Sequence, residues 1–109
     1  SINAVFILFM RFNIFNVTEA STQQHWIDFF SRFEKENQNF VINLSKQHAD
    51  LTQSQFRVCL YLRAGYNTKS IANTLGLSIR SVESHCYRIR KKFDLNHTIN
   101  LATYLYSIR

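Results

Sequence analysis

Apolar residues recur at i, i+3, i+4 and i+7 through much of this 109-residue chain, the spacing of one buried face of an α-helix. Trp26, Phe29, Phe30 and Phe33 form the first such stripe and predict a helix from about Thr22 to Glu36. Asn37, Gln38 and Asn39 interrupt it, and Phe40, Val41 and Leu44 predict a short second helix. From Leu51 the starts and stops become regular. Thr52 and Gln55 have the spacing of a capping box, in which each side chain bonds the other residue's backbone amide. The helix they open turns Phe56, Cys59, Leu60 and Leu62 inward, and Gly65 can take the left-handed conformation that closes it. Asn67 caps the next, with Ile71, Ala72 and Leu75 inward, and Gly76 ends it. Ser78 caps a third helix of this set, and Asn96 or Thr98 opens a fourth that runs to Ile108.

The third helix has the narrowest stripe. At about 100° per residue, Cys86, Ile89 and Phe93 stay within about 40° of Val82. The opposite arc carries Arg80, Ser84, Tyr87, Arg88 and Lys91, with Glu83 and Arg90 on one flank and Lys92 on the other. Two helices joined by a short glycine-containing turn are the helix-turn-helix pattern, whose second helix enters the major groove of DNA. Long donors on the outer arc, with small Ser84 allowing close approach, suit a groove about 12 Å wide. The helix start, with the Ser78 and Ser81 hydroxyls, suits a phosphate.

The first 21 residues read differently. Val5 to Met10 is unbroken apolar, and Phe6, Leu8, Met10, Phe12 and Ile14 alternate as in a β-strand. The run is far short of the roughly 20 apolar residues that span a bilayer. It lacks the charged start and small-residue cleavage site of a secretory signal. A lone strand is unstable in water. The segment therefore pairs with its own copy, or closes a sensor domain, or is foreign to the fold; "NVTEAS" (Asn16 to Ser21) resembles the tail of PAS sensor domains.

Charge separates the two halves. Residues 1–50 carry four Lys/Arg against five Asp/Glu, and residues 51–109 carry nine against two. A basic half points to a polyanionic partner, although a merely soluble basic face would look the same. No Ser/His/Asp, Cys/His or paired-carboxylate arrangement has catalytic spacing, and no glycine loop could cradle a phosphate, so no enzyme is expected. His85 and Cys86 are adjacent on one helix and point about 100° apart. The histidines at 25, 48, 85 and 97 and the two cysteines, Cys59 and Cys86, show no metal-ligand spacing. No metal or other cofactor is expected, and buried free thiols fit the reducing cytoplasm.

From Leu51 to about Ile108 the chain resembles the DNA-binding domain of LuxR/GerE-type bacterial transcriptional regulators, a four-helix fold without a wing. The resemblance rests on Leu51-Thr52, on Gly65, on "NTKSIANTLGLS" (Asn67 to Ser78), on Ser81-Val82, on His85 and on "RKKF" (Arg90 to Phe93). The run "SVESHCYRIRKKF" after an aromatic helix pair is similar to a Bacteroidetes branch in which this domain ends a larger sensor protein. The implied architecture is all-α: a strand-like segment over 1–21, an aromatic helical linker over 22–50, and a helix-turn-helix domain over 51–109.

By that resemblance the chain is a sequence-specific regulator of transcription that binds double-stranded DNA as a homodimer, downstream of a sensor domain and away from the membrane. Glu83, Ser84 and Tyr87 match base-reading positions. Thr68, Lys69, Arg88 and Lys91 match phosphate contacts, to which Ser78, Arg80 and Ser81 are added. Ile99, Ala102, Leu105 and Tyr106 fall on the helix through which members dimerise. Many members have lysine at the positions of Glu83 and Tyr87, so the target sequence does not carry over. A glutamate can accept from cytosine N4; Glu83 could instead pair with Arg80 or Arg90. The other reading is an interaction module of a signalling protein, with the aromatic first third as its association element.

Overall fold

A computed structural model describes residues 20–109. They form six α-helices: α1 (Ala20–Glu36), α2 (Gln38–Gln47), α3 (Gln53–Arg63), α4 (Thr68–Leu75), α5 (Ile79–Lys92) and α6 (Leu101–Ser107). No strand occurs among the described residues, in keeping with the all-α expectation. The strand expected over 1–21 lies outside them, except that Ala20 and Ser21 already belong to α1. None of these helices is long and apolar enough to cross a membrane.

Local signals account for most boundaries. Thr52 Oγ1 accepts from the Gln55 amide at 3.2 Å, and the Thr52 amide donates to Gln55 Oε1 at 3.0 Å, so the capping box that starts α3 is complete. At the other end Gly65 sits at φ +97°, while Tyr66 N–H reaches Tyr61 O and Gly65 N–H reaches Leu62 O. This is a Schellman closure, which satisfies carbonyls that the helix itself leaves open. Asn67 opens α4 in a second box with Ser70. α5 ends in the same way as α3, but with Asp94 at φ +54° in the place of a glycine.

α3 is the central element. Phe56, Val58, Cys59, Leu60 and Tyr61 are all buried along it, so neighbours enclose it on most sides. The one-sided stripe read from the sequence placed Leu62 inward, yet Leu62 is only half-buried and Val58 and Tyr61 are enclosed. The reason is α1. Its Phe29 ring stacks on Tyr61 with centroids 4.3 Å apart, and Trp26 meets Phe56 edge-on at 6.4 Å. Val41 and Leu44 of α2 join the same cluster, which continues through Ile71, Val82, Ile89 and Leu105. The stretches 22–50 and 51–109 therefore share one hydrophobic core.

The last helix starts later than the sequence indicates. Asn96 spends its side-chain oxygen on the amide and hydroxyl of Thr98, a local turn that competes with helix formation. Asn100, not Asn96 or Thr98, caps α6 by accepting from Thr103 N–H at 3.1 Å. The far end of α6 is held by Arg63, which donates to Leu105 O and Ile108 O, each at 2.8 Å, with its guanidinium 4.2 Å from the centre of the Phe40 ring.

Candidate nucleic-acid interface

The turn between α4 and α5 is two residues, Gly76 and Leu77, before the Ser78 cap. Two features favour glycine at Gly76. Its φ is +67°, and a Cβ there would lie 3.3 Å from Thr22 Cγ2 at the start of α1. Leu77 N–H then bonds Ala72 O at 2.9 Å, which closes α4 and turns the chain into α5. Ser78 Oγ accepts from Ser81 N–H at 3.0 Å and donates to Ser81 Oγ at 3.0 Å.

Along α5, Val82 and Ile89 are fully enclosed, Phe93 is buried and Cys86 is half-buried, so the inward stripe is where the periodicity puts it. Facing away are Arg80, Glu83, Ser84, Tyr87, Arg88 and Lys91, all exposed. Tyr87 is the most prominent, 61% exposed, with the Lys91 ammonium 5.1 Å from its ring centre. On one side of Tyr87 a shallow basin of about 390 Å³ brings together Arg80, Glu83, Ser84 and Arg88. On the other, a basin of about 400 Å³ is lined by Arg90, Lys91, Asp94, Leu95 and His97.

The five cations of α5 have two different occupations. Arg90 donates to the carbonyls of Asn96 and Ile99 and pins the loop before α6. Lys92 donates to Asp50 O at 2.6 Å and to Gln55 Oε1 at 2.7 Å, tying α5 to the start of α3. Arg80, Arg88 and Lys91 bond no protein acceptor among the described residues. Glu83 pairs with neither Arg80 nor Arg90 and has no hydrogen-bond partner among the described residues.

His85 lies half-buried on the side of α5, its Nδ1 enclosed without a partner among the described residues. Burial, and then the neighbouring Arg88 charge, lower its pKa below the ordinary histidine value. Burial raises the thiol pKa of Cys86, and the Glu83 carboxylate adds to it. Cys59 is wholly buried and its thiol is pushed up by the same cause. Neither thiol is activated as a nucleophile.

The other expected contacts are spread around this face. Lys69 is exposed and Thr68 half-buried in the first turn of α4, outside both basins. The dimerisation set does not hold together as one surface. Ile99 precedes α6 and is 41% exposed, Tyr106 is 51% exposed, and Ala102 is half-buried. Leu105 is fully buried in this domain's own core. Sequence reasoning also passed over Ile79, an apolar residue 47% exposed at the first position of α5. At about 100° per residue it lies only about 20° beyond Cys86, so periodicity gave no signal, and its exposure comes from its place at the helix start.

The family model GerE, described as bacterial regulatory proteins, luxR family, matches residues 49–105, more than half of the chain. Comparison with curated proteins and with solved structures gave no match.

Proposed function

This chain belongs to the luxR family of bacterial regulatory proteins, a family of DNA-binding helix-turn-helix regulators, and from that premise we propose that it sets α5 in the major groove of double-stranded DNA as a homodimer. The observation that carries the reading is the division of charge on α5. Arg90 and Lys92 are consumed by backbone and side-chain acceptors, whereas Arg80, Arg88 and Lys91 project outward around Ser84. Cations on the face opposite the core that bond no protein acceptor among the described residues are what phosphates require.

In this reading Glu83, Ser84 and Tyr87 meet base edges. Arg80, Arg88 and Lys91 take phosphates on either side of the groove, and Thr68 and Lys69 take one at the start of α4. At the helix start Ser78 caps the Ser81 amide and donates to Ser81 Oγ, which leaves the Ser81 hydroxyl proton for a phosphate. The dimer forms on the outer side of α6 around Tyr106, Ala102 and Ile99, without Leu105. The protein works in the cytoplasm, and a sensor domain upstream supplies its signal.

Burial of Trp26, Phe29, Phe30 and Phe33 favours this reading over one in which the aromatic first third is an association element. That stripe is already occupied by α3. Fluorescence anisotropy against a labelled duplex at increasing salt tests the proposal. Binding should weaken with a log–log slope of about −0.9 for each phosphate neutralised. No binding to any duplex at low salt would refute it.

A further inference from the structure

We propose that Glu83 selects a cytosine at one position of each half-site, by accepting from its exocyclic amine and by repelling the bases that offer only lone pairs. The inference rests on the reading above, in which α5 lies in the major groove. Glu83 stands exposed in the second turn of α5, in the basin that it shares with Arg80, Ser84, Tyr87 and Arg88. Its carboxylate has no hydrogen bond or ion pair among the described residues. Arg90, on the same flank of the helix, is turned away to Asn96 O and Ile99 O, and Lys91 rests over Tyr87. The acid is thus left for a partner outside the domain.

Its chemistry narrows that partner. A carboxylate only accepts hydrogen bonds. In the major groove guanine shows two acceptors, N7 and O6, and thymine shows the O4 acceptor beside a methyl group. Adenine offers its N6 amine, but N7 next to it faces the second carboxylate oxygen. Cytosine alone presents an amine with no acceptor beside it on its own edge. Ser84, adjacent and small, lets the backbone come close enough for a short acid to reach a base. Against a mismatched sequence the same carboxylate faces lone pairs and phosphates, so Glu83 also weakens binding to wrong sites.

Wild-type protein and Glu83→Gln are each used to select duplexes from a randomised library, followed by anisotropy on the selected duplex and on random DNA. Wild type should enrich cytosine at one half-site position. Exchange of that C·G pair for T·A should weaken its binding about tenfold or more. Glu83→Gln should lose the preference and admit adenine there, because an amide both donates and accepts. It should also bind random DNA more tightly than wild type. An unchanged motif in Glu83→Gln, or a wild-type motif without that cytosine, overturns the assignment and leaves the major-groove reading standing. Failure of both proteins to enrich any sequence overturns the major-groove reading and the assignment with it.

Discussion

α1, with 17 residues, and α5, with 14, are both amphipathic, and they end in opposite roles. The face of α1 is wide and aromatic, with Trp26, Phe29, Phe30 and Phe33 all buried, and it is used up in covering α3. The face of α5 is narrow, with only Val82 and Ile89 fully enclosed within the helix. A narrow stripe anchors a helix while leaving most of its circumference outside, where long polar side chains stay free to meet a partner. A wide one makes scaffold. The width of the apolar stripe, more than the number of charges, separates the two.

The strongest test of the scaffold side is Trp26→Ala. Trp26 is wholly buried, with Phe30 at 5.4 Å, Tyr61 at 5.8 Å and the Arg57 guanidinium at 5.0 Å. Its removal should cost about 3–5 kcal/mol in urea unfolding, a large share of a small domain's stability. A loss below about 1 kcal/mol would make α1 an accessory rather than part of the core.

A finer test lies within α5, at two neighbouring lysines. Lys92→Ala removes both bonds to the start of α3 and should lower stability by about 1 kcal/mol with the salt slope of DNA binding unchanged. Lys91→Ala should do the reverse, leaving stability within about 0.5 kcal/mol while the slope falls by about one. Identical behaviour of the two variants would end the distinction between anchoring and contacting charges.

The smallest effect is expected from pH, and it touches both regions. His48, at the end of α2, and His85, on α5, both have pKa values held below the ordinary 6.5, each chiefly by burial. Asp50 partly opposes the shift at His48, and Arg88 adds to it at His85. A lowered histidine pKa means that the unfolded chain takes up the proton first. Stability is then full above about 6.5 and is lost as pH falls below it. Thermal unfolding followed across that range should show a lower midpoint on the acid side, and His85→Gln should make the fall shallower.

Much of the fold was legible because its signals are local. Thr52 with Gln55, Asn67, Gly65, Gly76 and Ser78 each act within a few residues, and each boundary lies where those residues indicate. The α5 stripe was legible for the same reason. What could not be read depends on partners distant in sequence. Tyr61 and Val58 are enclosed because helices far along the chain surround α3, which its own periodicity does not record. The start of α6 was a choice between nearby asparagines, decided by the Asn96 turn and by Arg90 holding the carbonyls of Asn96 and Ile99. At the candidate interface, periodicity identified the outward arc of α5. It set Lys91 on that arc and Lys92 on its flank, but could not show what Lys92 holds, since that required knowing where Asp50 and Gln55 come to rest.

Thr22 Cγ2 lies beside Gly76, where a Cβ would stand 3.3 Å from it, so the first turn of α1 sits at the turn from which α5 departs. Because α1 packs on α4 and brings the Thr22 methyl to this turn, the space that either residue takes is limited by the other, and the first turn of α1 helps to fix the direction in which α5 leaves.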